Sequence, residues 1–355
     1  MKMMKSMETI QCLQSKIQRI HLIGDSDSKR YHYFKLACQE QGIDLKFWDI
    51  QKNLEAFLGD YQPGEPIKID PPTYQESELR QLQPLIEAYK NQLMTLSQVE
   101  GAVFLNDPLS IWQTLDKKEC KNILKKANIP MTPLLEGDIR DYKTLKQSME
   151  NQRMLGVFLK PRYGSGAAGV MAYKWNPRQQ KEALETCLHQ RENQFINTKK
   201  LLKQTSPTAI KALIEFILQE GAVIEHWIPK DLYEGKVYDL RAVYQFGHLD
   251  FLIGRGSAHG PITNLHLNNG AIDSESLPLS NEKKLEIQGI CEAIARAFPG
   301  LQSFGVDILL TPKNQSPMVI EVNGQGDLLY KDIYDQNKIY KHQIQAMTAA
   351  ASCEK

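Results

Sequence analysis

Asp307, Glu321 and Asn323 stand in two apolar runs, Phe304–Leu310 and Val319–Asn323, separated by a turn-forming stretch from Thr311 to Pro317. On a strand Glu321 and Asn323, two apart, share one face, while Ile320 and Val322 take the other. A hairpin closed across 311–317 brings Asp307 beside Glu321. Two carboxylates and an amide oxygen converging inside apolar strands form a hard-oxygen site of the kind Mg²⁺ prefers, with water and phosphate filling the remaining positions. Without a cation, two like charges ~4 Å apart repel by about 4 kcal/mol at an effective dielectric of roughly 20. The plainer alternative places both carboxylates on a solvent-facing edge hairpin, or pairs each with an arginine.

A second group is Gly164, Ser165, Gly166 and Gly169, a literal G-x-G-x-x-G preceded by Lys160-Pro161. A dinucleotide-binding loop needs a helix directly after it, so that the helix N-terminus faces pyrophosphate. Here Val170-Met171-Ala172-Tyr173 follows, a strand pattern, and His189 stands where an acidic ribose ligand is wanted. A protein-kinase loop does lie between strands, but no H-R-D or D-F-G sequence follows. There remains a flexible β-hairpin lid whose backbone N–H groups cover nucleotide phosphates, with a lysine on the strand entering it. The structural alternative is a glycine-rich surface hairpin with a snorkelling lysine.

The elements that must position these groups are legible in part. Arg19–Ile23, Ile43–Trp48 and Ala102–Leu105 read as strands, with helices over about Ser28–Gln41 and Glu76–Leu96. Leu58–Tyr74, rich in proline and glycine, reads as a loop. Leu109–Asn128 reads as one helix, and Pro177–Gln219 as a polar, helical stretch. Val157–Lys160, Val170–Trp175 and Ala222–Ile228 read as strands, and Tyr238–Phe246 with Leu249–Gly254 as a hairpin. A helix covers about Asn281–Phe298. The expected fold class is thus mixed α/β and α+β. It comprises a small parallel-sheet α/β domain over residues 1–108, a central subdomain over 109–228 carrying the glycine-rich lid, and a C-terminal subdomain over 229–355 carrying the carboxylates.

Composition bounds the partners. The 355 residues carry 43 Lys+Arg against 42 Asp+Glu, a net charge of +1, which supplies no global field for nucleic acid or an acidic membrane. The six cysteines form no C-x-x-C pair, so reduced thiols in the cytoplasm are the economical reading. No apolar run approaches the ~18 residues of a membrane span, and the N-terminus lacks a signal-peptide core. The expectation is a cytoplasmic globular protein with no nucleic-acid or membrane partner.

From about Asn106 to Asn323 the chain resembles the ATP-grasp superfamily, and in particular the ligases that add glutamate to ribosomal protein or related carboxylates. The residues that carry the likeness are Asp116-Lys117, Lys160-Pro161 with the glycine loop, Glu225 in Ala222–Ile228, Asp239-Leu240-Arg241, Thr263–Gly270, and Gly305-Val306-Asp307 with Glu321-Val322-Asn323. The resemblance implies an ATP-grasp fold: an N-terminal domain, then two subdomains clasping ATP. It implies ATP and Mg²⁺ as cofactors, with Mn²⁺ able to substitute. Lys117 and Lys160, with the lid residues Gly164, Ser165, Gly166 and Gly169, would neutralise and cover the triphosphate. Glu225 would accept from the adenine amino group, with the Trp227 and Ile228 backbone at the ring edge, and Asp239 would meet the ribose, with Glu234 as a second candidate. Asp307, Glu321 and Asn323 would hold the metal. Arg241 or Arg255 would stabilise the phosphoryl group and the tetrahedral oxyanion, although a structural ion pair serves Arg241 equally well. Asn264 or Asn268 would orient the acceptor carboxylate. The chain departs from the family after Asn323, reading Gly324-Gln325-Gly326-Asp327, and at Asn268-Asn269 and His226. None of these positions is a phosphate or metal ligand.

The implied reaction joins a small-molecule or peptide carboxylate to an amine or amino acid, through an acyl phosphate, releasing ADP and phosphate. No Ser or Cys lies in a nucleophile motif that would carry a covalent enzyme intermediate. Two other functions compete: a phosphotransferase with no amine acceptor, and a non-catalytic ATP-binding scaffold. The intact set of lysines and metal ligands weighs against the scaffold. The substrates and the oligomeric state, a homodimer included, stay open at the level of sequence.

Overall fold

The computed structural model describes residues 19–74, 77–164, 167–192, 194–267, 269–314, 316–327 and 337–350. The chain first runs β1 (Arg19–Gly24), α1 (Lys29–Glu40), β2 (Asp44–Asp49), α2 (Leu54–Asp60), β3 (Pro66–Ile69), α3 (Leu79–Leu96) and β4 (Val103–Phe104). Next come α4 (Pro108–Leu115), α5 (Lys117–Lys126), α6 (Tyr142–Asn151), β5 (Gly156–Pro161), β6 (Met171–Asn176), β7 (Lys181–Arg191), β8 (Gln194–Gln204), α7 (Pro207–Gln219) and β9 (Ala222–His226). The last part comprises β10 (Leu232–Tyr233), β11 (Lys236–Gln245), β12 (His248–Ser257), β13 (Gly270–Asp273), α8 (Asn281–Ala297), β14 (Ser303–Leu310), β15 (Pro317–Asn323) and α9 (Lys338–Ala350). The chain divides into two compact units. One holds the described residues through Thr73, Met94–Pro108 and those from Asp327 onward; the other holds Tyr74–Leu93 and Leu109–Gly326. The sequence reading places its cuts at 108 and 228. No helix among the described residues is long and apolar enough to cross a membrane.

The first unit is a parallel sheet in the order β2-β1-β3-β4. Ile20, Leu22 and Ile23 of β1 are fully buried, as a strand covered on both faces requires. Ser28 caps α1 by accepting the Tyr31 N–H. One expectation fails here. The stretch Leu58–Tyr74, read as a loop, contains the buried strand β3, which pairs with both β1 and β4. Pro66 is its first residue, a place where a missing N–H costs little, and Tyr61 and Gly101 close the segment by a hydrogen bond at 3.1 Å.

The second unit holds two antiparallel sheets. One runs β8-β7-β6-β5-β9 and packs against α6 and α7 through Leu145, Met149, Ile210, Leu213 and Ile214. The other runs β13-β12-β11-β14-β15 and packs against α5 and α8 through Leu124, Ile287, Ile290 and Ile294. Two more expectations are corrected. Pro177–Gln219 is helical only from Pro207; before that it forms the hairpin β7–β8. Lys and Glu on its outer face mask the strand period, and the turn is made at Glu192 with φ 55°. Leu109–Asn128 is two helices, because Asp116 takes a non-helical conformation and accepts the N–H groups of Lys118 and Glu119 as the cap of α5.

Candidate active site

The carboxylate site is built by strand register. Asp307 on β14 lies opposite Glu321 on β15 and opposite Arg241 on β11; Asp239, two residues before Arg241, lies opposite Arg255 on β12. All five therefore project from one face of the sheet, while Leu240, Ala242, Val306 and Ile308 fill the core on the other. Charges alternate along this face. Arg255 Nε is 2.7 Å from Asp239 Oδ1 and its Nη2 is 3.1 Å from Asp307 Oδ2. Arg241 Nε is 2.9 Å from Asp307 Oδ1 but not aimed at it, so the ion pair carries no aligned hydrogen bond. Asp239 also accepts from Lys230 Nζ at 2.8 Å and from the Thr263 hydroxyl. Burial alone would raise the Asp239 carboxyl, yet Arg255 and Lys230 hold it well below the usual carboxylate range. Burial lowers Lys230 against the pull of Asp239.

The neighbouring sheet supplies a second cluster. Glu225 on β9 accepts from Lys160 Nζ at 2.8 Å and from the Thr132 hydroxyl, and stands 3.5 Å from Lys121 Nζ. Lys121 in turn donates to Thr132 Oγ1 at 2.7 Å. Burial works to raise Glu225, but Lys121 and Lys160 outweigh it and hold the group below its ordinary value. Burial lowers Lys121. Lys117, the first residue of α5, donates from Nζ to the Gly164 carbonyl at 2.6 Å and lies 3.4 Å from Glu321. Glu321, opposed by burial, is also held low, chiefly by Lys117. Asp116 receives Arg162 through both oxygens at 2.6–3.0 Å, tying the root of the glycine loop to α5.

These groups surround one cavity of about 790 Å³, its open mouth included. Of the residues singled out from sequence, Lys117, Lys160, Gly164, Glu225, Ile228, Asp239, Arg255, Asn264, Asp307 and Glu321 line it. Arg241 is not in the wall and acts on it through Asp307. Trp227 is not in the wall either; its ring packs on Phe158 at 5.2 Å with Lys174 over it. Gly169 stands behind the wall at φ +67°, where an added Cβ would meet Leu79 and Pro161 at 2.6 and 2.8 Å. Ser165, Gly166 and Asn268 lie outside the described residues. Lys121, Lys230 and Thr132 were not singled out from sequence, and Thr263 only as the start of the Thr263–Gly270 loop. Lys121 could have been, since it follows Lys117 by one helical turn and so shares its face. Phe158, Val170, Ile228, Ile262, Leu309 and Ile320 add apolar surface to the wall.

Asp307 and Glu321 present carboxylate oxygens to the cavity, while Asn323, two residues beyond Glu321 on β15, is not in its wall. Among the described residues no three His, Cys, Asp or Glu side chains gather as a metal cage. Two carboxylates and an amide suit an Mg²⁺ that completes its shell with phosphate and water, and suit a zinc-type cage poorly.

No protein-family model matches the chain, and no curated protein matches it. Solved structures do. D-cycloserine synthetase DcsG aligns over 94% of this chain and 99% of its own, at 13% identity and a TM-score of 0.62. The ATP-grasp ligase PsnB, solved with precursor peptide PsnA2 and AMPPNP, aligns over 95% and 99%, at 12% identity and a TM-score of 0.54. D-alanyl-alanine synthetase A from Vibrio cholerae O1 biovar eltor aligns over 95% and 99%, at 11% identity and a TM-score of 0.56. At these identities the likeness is one of fold.

Proposed function

Because the chain has the ATP-grasp fold, we propose that it is an ATP-dependent ligase joining a carboxylate to an amine. The observation that carries the reading is the mixed lining of one cavity: Lys117, Lys160, Arg255, Asp307 and Glu321 share its wall with Phe158, Ile228, Ile262, Leu309 and Ile320. A nucleotide calls for both kinds of group, cations for its triphosphate and apolar surface for its flat base. The substrate carboxylate takes the terminal phosphoryl group, becoming an acyl phosphate, and the amine then displaces phosphate. Such a transfer demands positioning and charge neutralisation rather than a strong protein base.

Lys117 and Lys160 supply point charges to phosphate oxygens, Lys117 giving up the Gly164 carbonyl to do so. Glu225 orients Lys160, with Lys121 and Thr132 behind it, and its backbone strand meets the edge of the base. Asp239, which accepts from the Thr263 hydroxyl as well, positions the cations Arg255 and Lys230. Arg255 faces the cavity for the phosphoryl group and oxyanion, and Arg241 holds Asp307. Asn264 is placed to orient a carboxylate. Asp307, Glu321 and Asn323 would hold Mg²⁺, which when bound spreads charge over the phosphate oxygens. In this proposal the sheet containing β5 and β6 serves as the lid-bearing subdomain and the sheet containing β14 and β15 as the metal-bearing one.

The test is ADP release from Mg·ATP over pooled carboxylates and amines, repeated with hydroxylamine. ADP with a trapped hydroxamate is the expected result. Stoichiometric AMP means adenylation and overturns the mechanism; ADP with no hydroxamate and no amine dependence means a phosphotransferase.

A further inference from the structure

The glycine-rich loop is held at both roots by side chains, and the closing root is held by residues that no phosphate or metal role accounts for. Ala167, Ala168 and Val170 line the cavity, with Ala167 at φ +65°, a conformation that alanine rarely adopts. Their backbone groups are met from behind by the β7–β8 hairpin. Its ladder slips between Thr186 and Leu188, which frees Cys187 from regular pairing. Thr186 Oγ1 donates to the Val170 carbonyl at 2.8 Å. Cys187 Sγ lies 2.9 Å from the Ala167 carbonyl and 3.1 Å from Asn197 Oδ1, one S–H facing two acceptors. Asn197 Oδ1 also accepts the Gly169 N–H at 3.2 Å, while the Asn197 N–H donates to the Ser77 carbonyl at 2.8 Å. Thr186 and Cys187 are fully buried.

We propose that Asn197, with Thr186 and Cys187, is a positioning device. The bulged hairpin pins residues 167–170 in their strained form, and so pre-orders the closing limb of the loop for nucleotide phosphates. A loop already ordered loses less conformational entropy on binding, so the anchor is read out as nucleotide affinity without touching the nucleotide. This rests on the nucleotide-binding reading above.

The experiment measures Mg·ATP affinity and amide hydrogen exchange over 167–170. Asn197→Ala is expected to weaken Mg·ATP by about fivefold to tenfold, the scale of one lost hydrogen bond with some loop ordering. It should also speed exchange over 167–170 without nucleotide. Asn197→Asp keeps the acceptor oxygen and should stay within about twofold of wild type. Thr186→Val, close to isosteric, shifts both readouts in the same direction and serves if Asn197→Ala does not fold. Asn197→Ala and Asn197→Asp behaving alike, or unchanged exchange in both Asn197→Ala and Thr186→Val, overturns the proposal. Wild-type protein that does not bind Mg·ATP sinks the ligase reading and the affinity half of this one; exchange without nucleotide then still decides the anchor.

Discussion

Glu225 is one carboxylate between two ammonium groups, and neither lysine can lose it cheaply. Lys121 is almost wholly buried, with Thr132 and Glu225 as its polar contacts along with the Val319 carbonyl. Glu225→Gln should therefore destabilise the protein by about 3 kcal/mol, the scale of a buried charge left uncompensated, as read by denaturant unfolding. The sign with pH follows from its depressed folded value. Stability from Glu225 is fully present above the unfolded carboxylate pKa, about 4.3, and is lost as pH falls through the lower folded value. The Gln variant should lose less of its remaining stability over that acid range; an acid limb as steep as wild type would contradict the pairing. At Glu321 the expected effect is on chemistry. Glu321→Gln keeps shape and removes charge, so ADP release should vanish while circular dichroism and the unfolding midpoint stay near wild type. Wild-type turnover from this variant would remove Glu321 from the metal site.

At the scale of elements, two junctions decide where the cavity groups point. Asp116 ends α4 and starts α5, which puts Lys117 at a helix N-terminus facing the glycine loop. Asp116→Ala should cost about 1–2 kcal/mol through the lost cap. Little more should come from Arg162, whose side chain is 41% exposed. Gly169 is the second junction. Gly169→Ala meets both a left-handed φ and the side chains of Leu79 and Pro161, so a loss of roughly 1–3 kcal/mol is expected. A thermal midpoint unchanged by Gly169→Ala would mean that the loop relaxes without strain.

For the whole molecule, a ligand that binds only the folded state raises apparent stability by mass action, about 2.7 kcal/mol at a hundredfold excess over Kd. Mg·ATP should therefore raise the unfolding midpoint, and Lys160→Met should abolish most of that shift, since Lys160 both lines the cavity and holds Glu225. The shift belongs to the unit of Tyr74–Leu93 and Leu109–Gly326, which contains every residue of the cavity wall. Calorimetry that resolves two transitions should show only one of them moving with nucleotide.

The pairing of Asp307 with Glu321 was legible in sequence because a short turn joins two apolar runs, but the irregularity that skips Ile320 was not: it puts Ile320 beside Glu321 in the cavity wall, against the expected alternation, and leaves Val319 and Val322 in the core. The glycine loop was legible as a hairpin tip because strand-forming residues flank it on both sides, and Lys160 because it ends the entering strand. What sequence could not decide were matters of distant partnership. β3 hides among prolines because its hydrogen bonds go to β1 and β4, not to neighbours in sequence. β7 and β8 read as helix because their outward charges carry no period, and only the packing of Leu184, Leu188 and Phe195 on α7 selects strands. Lys121 and Lys230 look like surface lysines until Glu225 and Asp239 are brought to them across the fold. Asp239 and Glu225 read as acceptors for a nucleotide, and only the fold shows that these lysines also reach their oxygens. Local periodicity determines an element; burial of a charge is settled only where separate segments meet, since the cost of burying it depends on the partner that arrives.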